Sequence, residues 1–107
     1  DLTLDRRLQP IFVNEPSSAE TEKILRGVRT VYEKYHNVII DDAALSAAVS
    51  ATAKITSRAN PDKAIDAIDE ACSKAKMEAL IRQPQARQLI TVTAKDVKEI
   101  VAAWNRD

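Results

Sequence analysis

The chain has 107 residues, of which 45% are hydrophobic and 30% charged, and its 16 basic residues balance its 16 acidic ones. This length is typical of one domain and is too short for a complete nucleotide-hydrolysing module. Zero net charge gives no general basic field for nucleic acid or an anionic membrane. One Gly and four Pro cannot supply the turns of a β-sandwich. The composition therefore predicts a mainly α-helical domain.

Three absences limit the chemistry further. Cys72 is the lone cysteine and His36 the lone histidine, which argues against a disulfide, a cysteine zinc cluster or a histidine-paired catalytic dyad. No apolar run reaches the roughly 18 residues of a membrane span, and no signal peptide opens the chain. Because the first residue is Asp1 rather than Met, we expect the chain to be part of a longer protein.

The first predicted helix follows an extended lead-in, residues 1–16, which contains a short β-prone run at 11–13. Ser17 and Glu20 have the spacing of a capping box and mark the start of the helix. We expect it to end near His36, with that side chain exposed. Apolar residues at three- and four-residue steps predict its buried face: Ile24, Val28, Val31, Tyr32 and Tyr35.

Two more helices are predicted from their caps. Asp41 or Asp42 caps the second, after a β-prone triplet at 38–40, and Asn60 followed by Pro61 starts the third. Pro84 ends the third helix. The apolar face of the second helix is Leu45, Ala48, Val49, Thr52 and Ile55, and that of the third is Ile65, Ile68, Cys72, Ala75 and Ala79.

The fourth helix begins after Thr93, which with Asp96 repeats the cap pattern. Its buried face is predicted to contain Val97, Ile100, Val101 and Trp104. Residues 90–92 are expected to pair with residues 38–40. The chain thus predicts four helices with two or three very short strands.

Most candidate chemical groups have a structural interpretation. Four carboxylates cluster on the third helix and have a spacing that would allow a divalent metal, but a solvated face paired with Lys63, Lys74 and nearby bases is the favoured interpretation. Cys72 lies on the apolar stripe, where a thiol is inert. Trp104 is predicted to anchor the core rather than to stack on a nucleic-acid base. The four carboxylates are Asp62, Asp66, Asp69 and Glu70.

Two features indicate more than a generic helical domain. Arg6 and Arg7 are adjacent arginines in a segment without helical register, and residues 58–66 (RANPDKAID) place a helix N-terminus beside charged groups. Such an N-terminus can approach a phosphate or a ribose. On composition alone, the first is a solvated basic pair and the second a well-capped helix.

Together these features resemble the Clp-type AAA+ unfoldases. Residues 5–13 (DRRLQPIFV) and 15–17 (EPS) are similar to the end of the family's large ATPase subdomain, and residues 61–66 (PDKAID) and 68–71 (IDEA) to its most distinctive lid motif. The resemblance runs in order over nearly the whole chain. It implies a four-helix AAA+ lid-type bundle from the first ATPase module. Residues 17–107 would form the lid, and residues 1–16 an extended tail from the large subdomain.

The resemblance also implies roles for particular residues. Arg6 and Arg7 match arginine fingers, which act in trans and neutralise charge on the transferring phosphoryl group. Ile24 and Leu25 resemble residues that wall the adenine. The turn Pro61, Asp62 and Lys63 would face the nucleotide cleft. A sensing role for Arg58 or Lys63 stays open, and no residue of this chain is implied as a metal ligand.

The implied parent is an ATP-dependent protein unfoldase or chaperone that uses ATP and Mg²⁺. The phosphate loop and the catalytic glutamate belong to the large subdomain, so this fragment alone is expected neither to hydrolyse ATP nor to bind it tightly. Expected partners are the large subdomain, neighbouring subunits of a hexameric ring, unfolded substrates and a peptidase, but neither nucleic acid nor a membrane. The expected compartment is the bacterial cytoplasm or an organelle matrix.

Two other functions fit the residues without the resemblance. A free-standing helical interaction module, such as an adaptor, would make the arginine pair a plain surface feature. A phosphate-binding loop encoded upstream of Asp1 would exclude it. A helical DNA-binding domain would bind duplex in a salt-dependent way, and the balanced charge argues against it.

Overall fold

The computed structural model describes residues 15–85 and 89–106, and this part of the chain contains four helices and two short strands. Strands β1 and β2 are parallel, with Ile39 opposite Thr91 and Ile40 opposite Val92. The mainly helical fold and the predicted strand pairing are confirmed, whereas the β-prone run at 11–13 lies outside the described residues. In chain order the elements are α1 (Ser18–His36), β1 (Ile39–Ile40), α2 (Asp42–Thr52), α3 (Asp62–Arg82), β2 (Thr91–Val92) and α4 (Ala94–Arg106).

The short helix α2 lies at the centre of the fold and packs against the other three helices. Its predicted stripe is buried from Leu45 to Thr52, but the helix ends before Ile55, which is half-buried in the following loop. Small side chains allow the helices to approach closely. The alanines with almost no exposed surface are Ala44, Ala47 and Ala48 on α2 and Ala64, Ala67 and Ala71 on α3.

The predicted buried face of α1 is wrong for most of its residues. Val31 and Tyr35 are 63% and 80% exposed, and Ile24 is 37% exposed. Thr21 and Leu25 are buried instead, and Tyr32 is half-buried against the core. The face that packs is therefore rotated by roughly 60° of helix from the face that the apolar pattern predicts, and Tyr32 lies on both.

Three of the predicted caps are confirmed. Ser17 and Glu20 form the complete capping box, in which each side chain accepts a hydrogen bond from the other residue's backbone N–H. Asp41 accepts from the N–H of Ala44, and Asp96 accepts from the N–H of Thr93. These partners lie within three residues of one another, so local sequence determines the geometry.

The prediction that Asn60 caps α3 is wrong. The helix starts at Asp62, Pro61 occupies the cap position, and no side chain caps the first turn. The backbone N–H of Lys63 instead donates to the carbonyl of Ala59 at 3.0 Å. A backbone hydrogen bond from the first turn of α3 to the preceding loop thus replaces the expected side-chain cap.

The prediction that His36 is exposed is also wrong. Its side chain is only 9% exposed, and Nε2 lies 2.6 Å from Oδ1 of Asp69 on α3. The ring stacks with Tyr32 and meets Tyr35 edge-on, and next to it Lys76 donates to the carbonyl of Asn37. The end of α1 is therefore fastened to α3 by contacts between residues more than 30 positions apart in the sequence.

No helix among the described residues is long and apolar enough to span a membrane.

Candidate functional site

The loop between α2 and α3 meets the N-terminus of α1 at a groove of about 460 Å³. The side chains that line it are mostly polar, and they come from three parts of the chain. Among them are Ser17 and Ser18 at the start of α1, Thr56, Arg58 and Asn60 in the loop, and Lys63 in the first turn of α3.

Lys63 is the one buried charged residue in the described core, with 5% of its surface exposed. Its Nζ donates to the carbonyl of Ile55 at 2.9 Å, which partly compensates the loss of hydration of the ammonium group. The predicted pairing of Lys63 with carboxylates of α3 is therefore wrong. Lys63 instead holds the loop against α3.

A second contact ties this loop to the segment before α1. The backbone N–H of Asn60 donates to Oε2 of Glu15 at 2.7 Å. The Asn60 side-chain oxygen is buried and has no hydrogen-bond partner among the described residues. Glu15 thus places a carboxylate at the same groove as Lys63 and Arg58, which gives the groove mixed charge.

The structure brings only part of the predicted nucleotide cleft together. Lys63 lines the groove, with Pro61 and Asp62 directly before it at the start of α3. Leu25 is 1% exposed and packs in the core, so of the two predicted adenine-wall residues only Ile24 presents a surface. Arg6 and Arg7 lie outside the described residues.

The carboxylate cluster on α3 has structural partners. Within residues 15–85 and 89–106, no group of three His, Cys, Asp or Glu side chains has the geometry to hold a metal ion. Asp66 lies 3.5 Å from Nη1 of Arg58, and Asp69 contacts His36. Nζ of Lys74 lies 3.9 Å from Oε1 of Glu99 on α4, so Lys74 pairs with a carboxylate of another helix and not of its own. The predicted pairing with nearby bases is present at Arg58, whereas neither Lys63 nor Lys74 pairs with these carboxylates among the described residues.

The pKa of Asp66 reflects both its burial and its neighbours. Desolvation raises the pKa of this carboxyl above its ordinary value, and Arg58 opposes that rise. The carboxylates of Asp62, Glu70 and Asp69 add to the increase. Arg58 is therefore the cation that most eases the ionisation of Asp66.

Two predictions for other chemical groups are confirmed. Cys72 is fully buried, and desolvation raises the pKa of its thiol to about 12, so it is not a nucleophile near neutral pH. Trp104 packs against the core, and its Nε1 donates to Oε1 of Glu70 at 3.0 Å. The guanidinium carbon of Arg58 lies 4.1 Å from the centre of the Trp104 ring. No local signal in the sequence connects these two residues, which are 46 positions apart.

Comparison with known proteins places this fold in a family. Residues 17–106 match the AAA lid domain family. The chain is 47% identical, over 94% of its length, to the ATP-dependent Clp protease ATP-binding subunit ClpA homolog of Guillardia theta, and 42% identical, over 83% of its length, to the chaperone protein ClpB of Aquifex aeolicus. It spans only 12% and 9% of those two proteins.

Solved structures give the same result. The fold superposes on Hsp104 in a closed-state reconstruction with ATPγS and FITC casein with a TM-score of 0.75, at 33% identity over 97% of this chain. For an S. cerevisiae Hsp104-ADP complex the TM-score is 0.74, at 33% identity over 98% of the chain. In both cases this chain corresponds to 17% of the Hsp104 chain.

Proposed function

Because the chain belongs to the AAA lid domain family and is a lid subdomain of the Clp-type AAA+ chaperones, we propose that it closes over a nucleotide held by the large subdomain of its parent protein. The observation that carries the proposal is the superposition of 97–98% of the chain on Hsp104, in structures described with ATPγS and with ADP. The parent is then an ATP-dependent protein unfoldase. The lid passes the movement that accompanies hydrolysis to the rest of a hexameric ring.

The proposed nucleotide-facing surface consists of Ile24 and the Pro61–Lys63 turn, with Leu25 supporting Ile24 from the core. Lys63 fixes the position of this turn, because its buried ammonium is bonded to the loop carbonyl of Ile55. Because the turn is anchored by a buried side chain, it moves together with the whole lid. Binding of a nucleotide at the turn therefore rotates the subdomain.

Residues 1–16 are proposed to be the end of the large subdomain, and residues 17–107 the lid. In that division Arg6 and Arg7 act on the nucleotide of the neighbouring subunit. The ligands of Mg²⁺ are proposed to come from the large subdomain together with the phosphate loop. ATP and Mg²⁺ are thus cofactors of the parent. Its partners are neighbouring subunits, unfolded proteins and a candidate peptidase, in a bacterial cytoplasm or an organelle matrix.

Hydrolysis by the full-length parent tests the proposal through Arg6→Ala and Arg7→Ala. A guanidinium that neutralises the transferring phosphoryl group is worth on the order of 10³-fold in turnover. We expect each variant to lose most of the ATPase activity while nucleotide still binds. Arg82→Ala, which removes an exposed arginine in the last turn of α3, is the matched control and should retain activity.

Unchanged hydrolysis and ring assembly in both variants would show that the arginine pair is not a finger pair. A parent that lacks a phosphate-binding loop upstream of Asp1 would contradict the proposed function as a whole and favour the adaptor alternative. Calorimetry on the 107-residue chain provides an independent check, because we expect it to show no tight binding of ATP.

A further inference from the structure

The side chain of Arg58 joins the loop between α2 and α3 to the far end of α4. Arg58 lies in this loop, and its guanidinium carbon is 4.1 Å from the centre of the Trp104 ring, within the range of a cation–π contact. Its Nη1 also lies 3.5 Å from Oδ2 of Asp66 on α3. One guanidinium therefore contacts two helices at once.

The Trp104 ring is itself held in place. It lies near the end of α4, packs against the core and donates from Nε1 to Oε1 of Glu70 at 3.0 Å. Its face is thus fixed relative to α3 as well as to α4. Since Arg58 stacks on that face, the position of the loop depends on the position of the last turns of α4.

Arg58 is three residues before the Pro61–Lys63 turn, and the chain between them has little regular structure of its own. Two hydrogen bonds that involve a side chain hold this stretch to its surroundings: the backbone N–H of Asn60 donates to Glu15, and Nζ of Lys63 donates to the carbonyl of Ile55. Neither reaches α4. Arg58 is therefore a direct contact between the turn region and that helix.

We propose that Arg58 is a positioning residue that keeps the Pro61–Lys63 turn in register with the C-terminal end of α4, so that displacement of one displaces the other. The inference rests on the proposed function, in which the turn faces the nucleotide. This role explains why Arg58, although it lies beside a candidate nucleotide site, pairs with Asp66 and stacks on the Trp104 ring. Arg58 acts on the nucleotide through the turn rather than by touching it.

Amide hydrogen exchange in the 107-residue chain tests this directly. The backbone N–H groups of Lys63 and Ile65 donate to Ala59 and Pro61 and report on the turn. In Arg58→Gln and in Trp104→Leu we expect these two amides to exchange about fivefold faster, as a weakened local contact allows more frequent opening. The double variant should show no further increase, because both changes break the same contact.

Two comparisons separate positioning from a loss of stability. Lys74→Gln removes the ion pair between Lys74 of α3 and Glu99 of α4 without touching the loop, and it should leave exchange at Lys63 and Ile65 unchanged. Amides in the centre of α2 report on global opening, and they should be no faster in Arg58→Gln than in the wild-type chain. Arg58→Lys and Trp104→Phe keep a cation and a ring, so each should restore part of the protection.

Unchanged exchange at Lys63 and Ile65 in both Arg58→Gln and Trp104→Leu would overturn the inference. So would a uniform increase across α2 in Arg58→Gln, since that pattern belongs to a purely structural residue. The full-length parent provides the functional arm: ATP turnover should fall on the order of fivefold in Arg58→Gln, recover in part in Arg58→Lys, and stay within about twofold of wild type in Lys74→Gln.

The two proposals fail differently. A wild-type parent that hydrolyses no ATP contradicts the proposed function, while the exchange experiment still decides whether Arg58 positions the turn. A parent whose ATPase is active and unaffected by Arg58→Gln leaves the lid assignment in place and contradicts the role of Arg58.

Discussion

At the scale of single residues, two buried threonines differ in whether the side-chain hydroxyl forms a hydrogen bond. Thr21 and Thr52 both have 0% of their surface exposed. The hydroxyl of Thr52 donates to the carbonyl of Ala48 at 2.6 Å, whereas the hydroxyl of Thr21 has no partner among the described residues. An unpaired buried hydroxyl costs free energy that an isosteric apolar side chain does not.

We therefore expect Thr21→Val to increase the free energy of unfolding by about 1 kcal/mol, because it replaces the unpaired hydroxyl with a methyl group. Thr52→Val makes the same chemical change where the hydroxyl is bonded, and it should decrease the free energy by about 1 kcal/mol. Urea denaturation of both variants measures the difference. A loss of stability in Thr21→Val equal to that in Thr52→Val would mean that the Thr21 hydroxyl has a partner in solution.

The buried residues that the sequence pattern does not predict are polar ones. Hydropathy assigns Thr21, His36 and Lys63 to the surface, yet all three side chains are largely buried. His36 is satisfied by Asp69, 33 positions away, and Lys63 by the carbonyl of Ile55. Such partners are brought together by tertiary packing, so a reading of local pattern cannot find them.

At the scale of elements, α1 shows how two apolar stripes compete on one helix. Ile24 and Leu25 are adjacent, and each begins a series with three- and four-residue steps. The series through Val31 and Tyr35 is more apolar, but the fold buries the one through Leu25 and Tyr32. Neighbouring helices decide between the two, and this information is absent from the helix itself. The exposed series is consistent with a surface that the proposed large subdomain covers.

The caps behave in the opposite way because their partners are local. The capping box at Ser17 and Glu20 is predicted from spacing alone and is present in full. Asn60 fails as a cap because its backbone N–H is bonded to Glu15 and its side-chain oxygen is buried without a partner among the described residues, so the helix begins after it. The candidate nucleotide site lies at the start of α3. Its residues form a recognisable motif in the sequence, but their arrangement depends on the contact with Glu15, which the sequence does not predict.

The capping box gives α1 a stability that depends on pH. Hydrogen bonds from Ser17 lower the pKa of Glu20, so its carboxylate stabilises the folded chain above the unfolded-state pKa, and this stability is lost as pH falls through the lower folded-state value. We expect Glu20→Gln to decrease the Tm at pH 7 and to have a smaller effect at pH 3, because a larger fraction of the wild-type carboxylate is protonated at the lower pH.

Thermal unfolding at several pH values measures this effect. Glu78→Gln, at an exposed position in the C-terminal half of α3, is the control and should leave the Tm at pH 7 close to that of wild type. A Tm difference for Glu20→Gln that is as large at pH 3 as at pH 7 would show that the charge of the capping carboxylate is not what stabilises α1.

At the scale of the whole molecule, the lid is a small unit built around α2. This helix has six buried residues out of 11 and packs against α1, α3 and α4. The alanine-rich contacts bring backbones close together and leave few long side chains that can change rotamer. Close packing transmits displacement rather than absorbing it. This property is what the proposed function requires, since a lid that rotates as one body passes movement from its nucleotide turn to its neighbours.

Ala48 tests this view of the core, because it has 0% exposed surface in the helix that contacts all the others. Ala48→Leu inserts three carbon atoms where no space is left, and we expect it to decrease the free energy of unfolding by about 3 kcal/mol. Ala43→Leu makes the same change at an exposed position of α2 and should be nearly neutral. Urea denaturation measures both values, and the denaturant slope shows whether compactness is retained. Wild-type stability in Ala48→Leu would mean that the helices separate easily to accept the larger side chain. In that case the subdomain would deform under load, and movement at the nucleotide turn would not reach α4.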